Sequence, residues 1–463
     1  MSVLNITSPY DEKIVGTVKL NTSKEVKEAI DLAHNTFENK KNELPKYKRV
    51  EILENVVKIM SSQIEELTIL CASEGGKPYI DSKVEIQRAI NGVKLAIEHL
   101  GAYEGKEIAM GHTQSSANRM AYTFKEPIGV VAAISAFNHP FNLAVHQVIP
   151  AIAVGCSVII KPASKTPMSA IKLIEILEEA GLAKGWAQVL VCSKEDTQIL
   201  ASSSKINFLT FIGSGNVGWD LNSKVAKGTR VALEHGGVAP VIVQKDANID
   251  ELIPDLTKGG FYHAGQVCVS VQRVYVHESI IDEVSQKLAS SASKLIVGNQ
   301  LDKNTEVGPL ISNEEVNRVE TWVNEAINEG AKVLTGGKRV SNSCYEPTVL
   351  LNPSDKSKVS SLEVFAPVVC LYSYSNIDEA IKRANALDVS FQAAIFTKDL
   401  DVALKAVKQL NATAVMVNDH TAFRVDWMPF GGAKQSGLGM GGIINSMDEM
   451  SKEKLMVIKS KVL

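Results

Sequence analysis

The chain has 463 residues, 45% of them apolar and 22% charged, with a net charge of −3. That length exceeds what one hydrophobic core organises and predicts two or three domains. The small net charge argues against nucleic acid or an anionic membrane as partner.

In chain order, residues 1–5 carry neither the basic nor the apolar region of a secretory leader. Residues 46–60 place Val50, Ile52, Leu53, Val56, Val57 and Met60 on one helical stripe, and 64–73 and 84–100 continue in helices. The first hundred residues therefore read mainly as helical. Residues 118–126 alternate as an exposed strand does. Residues 129–134 form a short apolar run of the kind a buried parallel strand shows. Helix 141–154, strand 157–160, helix 170–180, strand 187–191, helix 197–202 and strand 206–211 follow. This alternation indicates a doubly wound parallel sheet. A second series begins at 239–243 and includes strand 273–277, helices 280–295 and 313–330, and strand 414–418. The tail 452–458 alternates weakly. A membrane span needs about 20 apolar residues; the most apolar stretch, 128–160, is interrupted by Asn138, His139, Pro140, Asn142, His146 and Gln147.

The six cysteines are scattered without a C-x-x-C pair. This pattern argues against zinc, predicts no metal site, and fits a reducing, cytoplasmic setting. Cys156 and Cys370 lie in apolar runs and read as packing residues. Cys268 differs, following Gly265-Gln266-Val267, and Glu234 lies upstream in Leu233-Glu234-His235-Gly236-Gly237. A cysteine nucleophile and a carboxylate base together can run acyl chemistry followed by hydrolysis.

Further segments accompany that pair: Phe137-Asn138-His139-Pro140, Ile159-Ile160-Lys161-Pro162-Ala163-Ser164, Phe211-Ile212-Gly213-Ser214-Gly215-Asn216-Val217-Gly218, Glu363-Val364-Phe365-Ala366-Pro367 and Pro429-Phe430-Gly431-Gly432. In this order and spacing the chain resembles the aldehyde dehydrogenase superfamily over nearly its whole length. It looks most like the branch that oxidises small hydroxyaldehydes. The resemblance implies an α/β fold of two doubly wound parallel-sheet domains plus a small β oligomerisation element. Residues 1–112 and 128–236 would form the cofactor-binding domain and 237–430 the catalytic domain, with 431–446 returning to the cofactor domain. Residues 113–127 and 447–463 would form the oligomerisation element of a homodimer or homotetramer.

The same resemblance assigns roles. Cys268 attacks the aldehyde and passes through a thiohemiacetal to a thioester. Asn138 donates to the oxyanion together with the Cys268 backbone N–H; an N-cap before Pro140 is the alternative use of this residue. Glu234 activates the water that cleaves the thioester. Members that transfer to coenzyme A commonly lack this glutamate, so its presence favours a free acid. Lys161 reaches the adenosine ribose, Glu363 the nicotinamide ribose, and Phe365 packs on the nicotinamide side. Gly213, Ser214 and Gly218 form the phosphate turn, with Ser214 reaching the pyrophosphate. Ser164 stands where NAD-preferring relatives place a glutamate, so NADP is expected to serve at least as well as NAD. His139, His235 and Ala366 depart from the family pattern, and His235 is expected to pack. Val267 replaces the arginine that glyceraldehyde 3-phosphate-specific relatives often carry. Arg424 is expected either to contact a substrate hydroxyl or carboxylate or to form a structural salt bridge. The expected substrate is a short aliphatic (hydroxy)aldehyde, lactaldehyde first and succinic semialdehyde second. Acyl transfer to coenzyme A and a non-catalytic binding protein are the competing readings.

Overall fold

Two mostly parallel sheets organise the computed structural model, which describes residues 2–39, 41 and 43–463. Residue 1, in the stretch read above for a leader, lies outside the described residues.

The six-stranded sheet has the order Gly437–Leu438, Arg230–Glu234, Phe208–Ile212, Val130–Ile134, Ser157–Lys161, Ala187–Val189. Its strands are parallel except Gly437–Leu438, which closes one edge antiparallel to Arg230–Glu234. Successive residues of Val130–Ile134 turn to opposite faces. Val131 and Ala133 face a core shared with the helices Lys46–Ser62, Tyr79–Gly101 and Pro140–Val154, while Val130, Ala132 and Ile134 join a second core. Burial on both faces explains why these strands read as unbroken apolar runs. Strand order reverses between Val130–Ile134 and Phe208–Ile212, and a crevice at such a switch point is where open α/β sheets bind ligands.

The seven-stranded sheet runs Lys332–Thr335, Thr348–Leu351, Val368–Tyr374, Val271–His277, Ala239–Val243, Gln392–Phe396, Ala414–Val417. Only its edge strand Lys332–Thr335 is antiparallel. A third, three-stranded sheet pairs Ser451–Lys459 with Arg119–Pro127, and Glu107–Ile108 adds to its other side. Leu455, Met456, Val457, Ile458, Phe124 and Ile108 are exposed on this sheet. Among the described residues, no helix is long and apolar enough to cross a membrane.

The reading of the first hundred residues as mainly helical needs one correction. A hairpin, Val3–Thr7 with Ile14–Lys19, opens the chain. Its strands are short and only Ile6 on them is fully buried, so their apolar alternation is too weak to read.

Candidate active site

A cleft of about 960 Å³ is lined from both large sheets. The six-stranded sheet contributes the carboxyl ends of its strands: Ser135 to Asn138 after Val130–Ile134, Lys161, Gly213 and Ser214 after Phe208–Ile212, and Glu234. The seven-stranded sheet contributes segments that precede its strands: Cys268 before Val271–His277, and Glu363 and Phe365 before Val368–Tyr374.

The Cys268 loop is braced from several sides. The Asn138 amide donates to the Gln266 carbonyl at 2.9 Å. The Gln266 side chain, 1% exposed, donates to the Pro309 carbonyl at 3.2 Å and accepts from the Ile311 N–H at 2.9 Å. The Gly237 N–H donates to the Cys268 carbonyl at 3.2 Å, which seats the loop beside the end of the Glu234 strand. Gly265, at φ +69°, leaves no room for a Cβ, which would sit 2.2 Å from the Ala366 oxygen. The Cys268 loop and the Glu363–Pro367 turn are thereby pressed together. An Asn amide has two N–H donors; one is committed to Gln266, and Asn138 lines the cleft that the second can face.

Asn138 is not the helix cap that its position before Pro140 suggested. The cap of helix Pro140–Val154 is His139, whose side chain makes no capping bond. The Phe141 and Asn142 N–H groups donate instead to Glu85, each at 2.9 Å. Glu85 also forms an ion pair with Lys77, and both side chains are fully buried. Asn138 is thus left free for the Cys268 loop.

Desolvation governs the electrostatics of the cleft. Burial raises Glu234 to about 7, with Arg424 pulling the other way, and its carboxylate makes no hydrogen bond among the described residues. Such a group changes charge near neutrality, as a general base must. The Cys268 thiol is pushed well up by burial, then by the negative fields of Glu234 and Glu363, against Arg424. The other five cysteines are buried, whereas Cys268 is half-buried.

Among the described residues Arg424 forms no salt bridge, so the structural-pair alternative does not hold there. Its guanidinium lies 3.7 Å from the Phe430 ring centroid, and its Nη1 is buried without a partner. Burial lowers it to about 10, partly offset by Glu234. Arg88 on the same cleft is held by Asp426 in a two-pronged pair at 2.7 and 3.1 Å, and His146 Nε2–H donates to Asp426 at 2.9 Å. Burial alone would raise Asp426, but the His146 and Arg88 contacts outweigh it and hold the carboxyl well below its usual range. His139 Nε2 lies 3.0 Å from the Tyr262 hydroxyl, and burial keeps the imidazole neutral. Arg88, Asp426, Gln266 and the Lys77–Glu85 pair were not singled out from the sequence. Only Gln266 had a local signal, two positions before the cysteine.

The cofactor-side residues present unspent donors and acceptors. The Lys161 ammonium, half-buried, has neither a hydrogen bond nor an ion pair among the described residues, and burial lowers its pKa. Ser214 caps helix Gly215–Asn222 without spending its hydroxyl on the helix. Ser164 is exposed on the wall of the cleft, which Lys161 and Lys194 also line. Glu363 Oε1 is buried and unpartnered, and burial raises its carboxyl to about 8. Its carboxylate lies against Gly236, where a Cβ would meet it at 1.9 Å. A helix N-terminus, a cation and a buried carboxylate with a free oxygen in one crevice fit a nicotinamide dinucleotide. Phe365, at φ +50°, packs edge-on against Phe137 at 5.8 Å. Gly218 does not line the cleft. A Cβ there would lie 2.0 Å from the His235 ring, so this glycine lets the helix approach the strand end. His235 packs between Phe211 and Trp219, at 5.6 and 5.7 Å, with Nδ1 3.1 Å from the Gly213 carbonyl.

A family model described as the aldehyde dehydrogenase family matches residues 2–456. The 3-sulfolactaldehyde dehydrogenase of Priestia megaterium is 40% identical over 459 residues, covering 99% of this chain and 94% of that protein. The lactaldehyde dehydrogenase of Methanocaldococcus jannaschii is 39% identical over 460 residues, covering 98% and 97%. A crystal structure of the glyceraldehyde-3-phosphate dehydrogenase GapN from M. jannaschii, complexed with NADP, superposes with a TM-score of 0.94 at 38% identity and covers 99% of each chain.

Proposed function

Since the chain belongs to the aldehyde dehydrogenase family and is an NAD(P)-dependent aldehyde oxidoreductase, we propose that Cys268, Glu234 and Asn138 carry its chemistry on a short hydroxyaldehyde. The substrate has a lactaldehyde-like skeleton, and an acidic group at its far end strengthens binding. The Cys268 sulfur bonds to the aldehyde carbon as its proton passes to Glu234, which faces it. The Asn138 amide and the Cys268 backbone N–H hold the resulting oxyanion. Bound nicotinamide dinucleotide supplies the hydride acceptor, and Cys268 is left carrying the acyl group as a thioester. Glu234, its proton lost to solvent, then takes one from water; the hydroxide adds to the thioester, the carbon–sulfur bond breaks, and the free acid leaves.

On the cofactor side, Lys161, Ser214 and Glu363 hold the dinucleotide. Ser164, on the cleft that Lys161 and Lys194 also line, offers a donor and no negative charge to a 2′-phosphate, which favours NADP. The exposed apolar side chains on the three-stranded sheet support a homo-oligomer built through that edge. Six unpaired thiols accord with a reducing cytoplasm.

The buried, unpartnered Nη1 of Arg424 carries the substrate reading. A small apolar patch of Val267, Val269, Phe391 and Phe430 surrounds the cysteine, so the molecule between aldehyde and anion must be short. The same arginine favours succinic semialdehyde as the second reading. The relatives' sulfolactaldehyde and glyceraldehyde 3-phosphate names both denote acidic aldehydes. The test is formation of reduced nicotinamide with lactaldehyde, 3-sulfolactaldehyde, succinic semialdehyde and propionaldehyde, without coenzyme A. The acidic short aldehydes should give the highest kcat/KM. A requirement for coenzyme A, or equal rates across the panel, would overturn the reading.

A further inference from the structure

Among the described residues outside the cleft, one group of side chains has metal-ligand chemistry. Asp255 lies in helix Ile249–Phe261, whose end leads into the Cys268 loop. Asp419 and His420 follow strand Ala414–Val417 and open the loop that reaches Arg424. One ligand atom from each of the three lies within 4.8 Å of the others. None of the three lines the active-site cleft.

We propose that Asp255, Asp419 and His420 bind a divalent first-row cation, pinning the Arg424 loop to the helix that precedes the nucleophile.

Metal–ligand bonds of about 2.0–2.2 Å place donors roughly 3 Å apart when adjacent and about 4.2 Å apart when opposite. Small side-chain rotations therefore bring the three atoms into a coordination shell, with water completing it. His420 supplies an independent observation. It is 8% exposed, and its Nδ1 is buried with no hydrogen-bond partner. Its Nε2 lies 4.0 Å from Asp419 Oδ1, beyond hydrogen-bond reach. A buried Nδ1 without a partner among the described residues is unusual, because buried polar groups are nearly always satisfied. The ring is also held in place: a Cβ at Gly259 would sit 2.9 Å from the His420 Cβ, so this helix glycine admits the close approach.

The charges agree with the geometry. Burial, aided by Lys258 and opposed by Asp419, keeps His420 in the neutral, ligating form. Burial and then Asp419 raise the Asp255 carboxyl, a repulsion that a cation relieves. Lys258 is the opposing charge, but it is exposed and can extend into solvent. Asp255 and Asp419 are half-buried, which leaves a path for the hydrated ion. One imidazole nitrogen and two carboxylate oxygens suit Mn²⁺, Co²⁺ or Zn²⁺ better than Ca²⁺, which takes 6–8 oxygen ligands.

Mn²⁺ is the probe of choice, since thiolates such as that of Cys268 are poor ligands for it. Free Mn²⁺ is counted by electron paramagnetic resonance during titration of the dialysed full-length protein. One bound equivalent per chain is expected, weakened at least tenfold in His420→Gln and in Asp255→Asn. Mn²⁺ should raise the thermal midpoint of the parent protein and leave that of either folded variant unchanged. Absence of saturable binding, or binding that persists at full strength in a folded variant, overturns the proposal.

Discussion

Replacing Arg424 with Met keeps much of the contact with the Phe430 ring and removes the guanidinium. The parent side chain has a buried, unpartnered Nη1 and no ion pair, so no protein carboxylate is orphaned by the change. Loss of a hydrogen bond to a charged group costs about 1.5–3 kcal/mol, a factor of roughly 10–150 at 1.4 kcal/mol per decade. That loss should fall on kcat/KM for 3-sulfolactaldehyde or succinic semialdehyde, mainly through KM. Propionaldehyde has no anion to lose; it senses only the upward drift of Glu234 and Cys268 once Arg424 is gone, so its kcat/KM should fall less than that of the acidic aldehydes. The assay is reduced-nicotinamide absorbance under saturating cofactor, with parent and variant side by side. The reasoning fails if both classes of aldehyde fall by the same factor, because Arg424 would then support the site rather than recognise an anion. It fails equally if neither class changes.

Three other outcomes are expected. Glu234→Gln should slow both the first burst of reduced cofactor and the steady state, the latter by about 10²–10⁴; the parent rate should rise with pH through about 7, as the carboxyl loses its proton, and the variant should lack that rise. Ser164→Glu sets a carboxylate near the 2′-phosphate, a repulsion of roughly 1–4 kcal/mol at 4 Å; fluorescence titration should show weakened NADP binding with NAD binding retained or improved. Lys77→Met leaves Glu85 charged, buried and without its cation. A loss of about 3–5 kcal/mol is expected, seen as an unfolding midpoint lower by several degrees, and an unchanged midpoint would contradict the role given to the pair.

The parts of the molecule legible in its sequence are those whose cause is local. Helix Lys46–Ser62 was readable because one stripe is buried, and Val130–Ile134 because both its faces are. Cys268, Glu234 and Asn138 stood in recognisable segments, and the fold brings all three to one cleft. What escaped depends on distant partners. Arg88 meets Asp426 across the 338 positions between them, and Glu85 caps a helix that begins 55 residues later. Nothing near either residue announces those tasks. The spacing of Gly218 matched a phosphate turn and gave no sign that its missing side chain also admits the His235 ring.

The last strand, Ser451–Lys459, pairs along its whole length with Arg119–Pro127, laid down far earlier in synthesis. Until residues 451–459 leave the ribosome, the earlier strand is bonded through the short Glu107–Ile108 segment. The three-stranded sheet therefore closes only after more than three hundred further residues have been made, and shortening Ser451–Lys459 would fray its pairing with Arg119–Pro127.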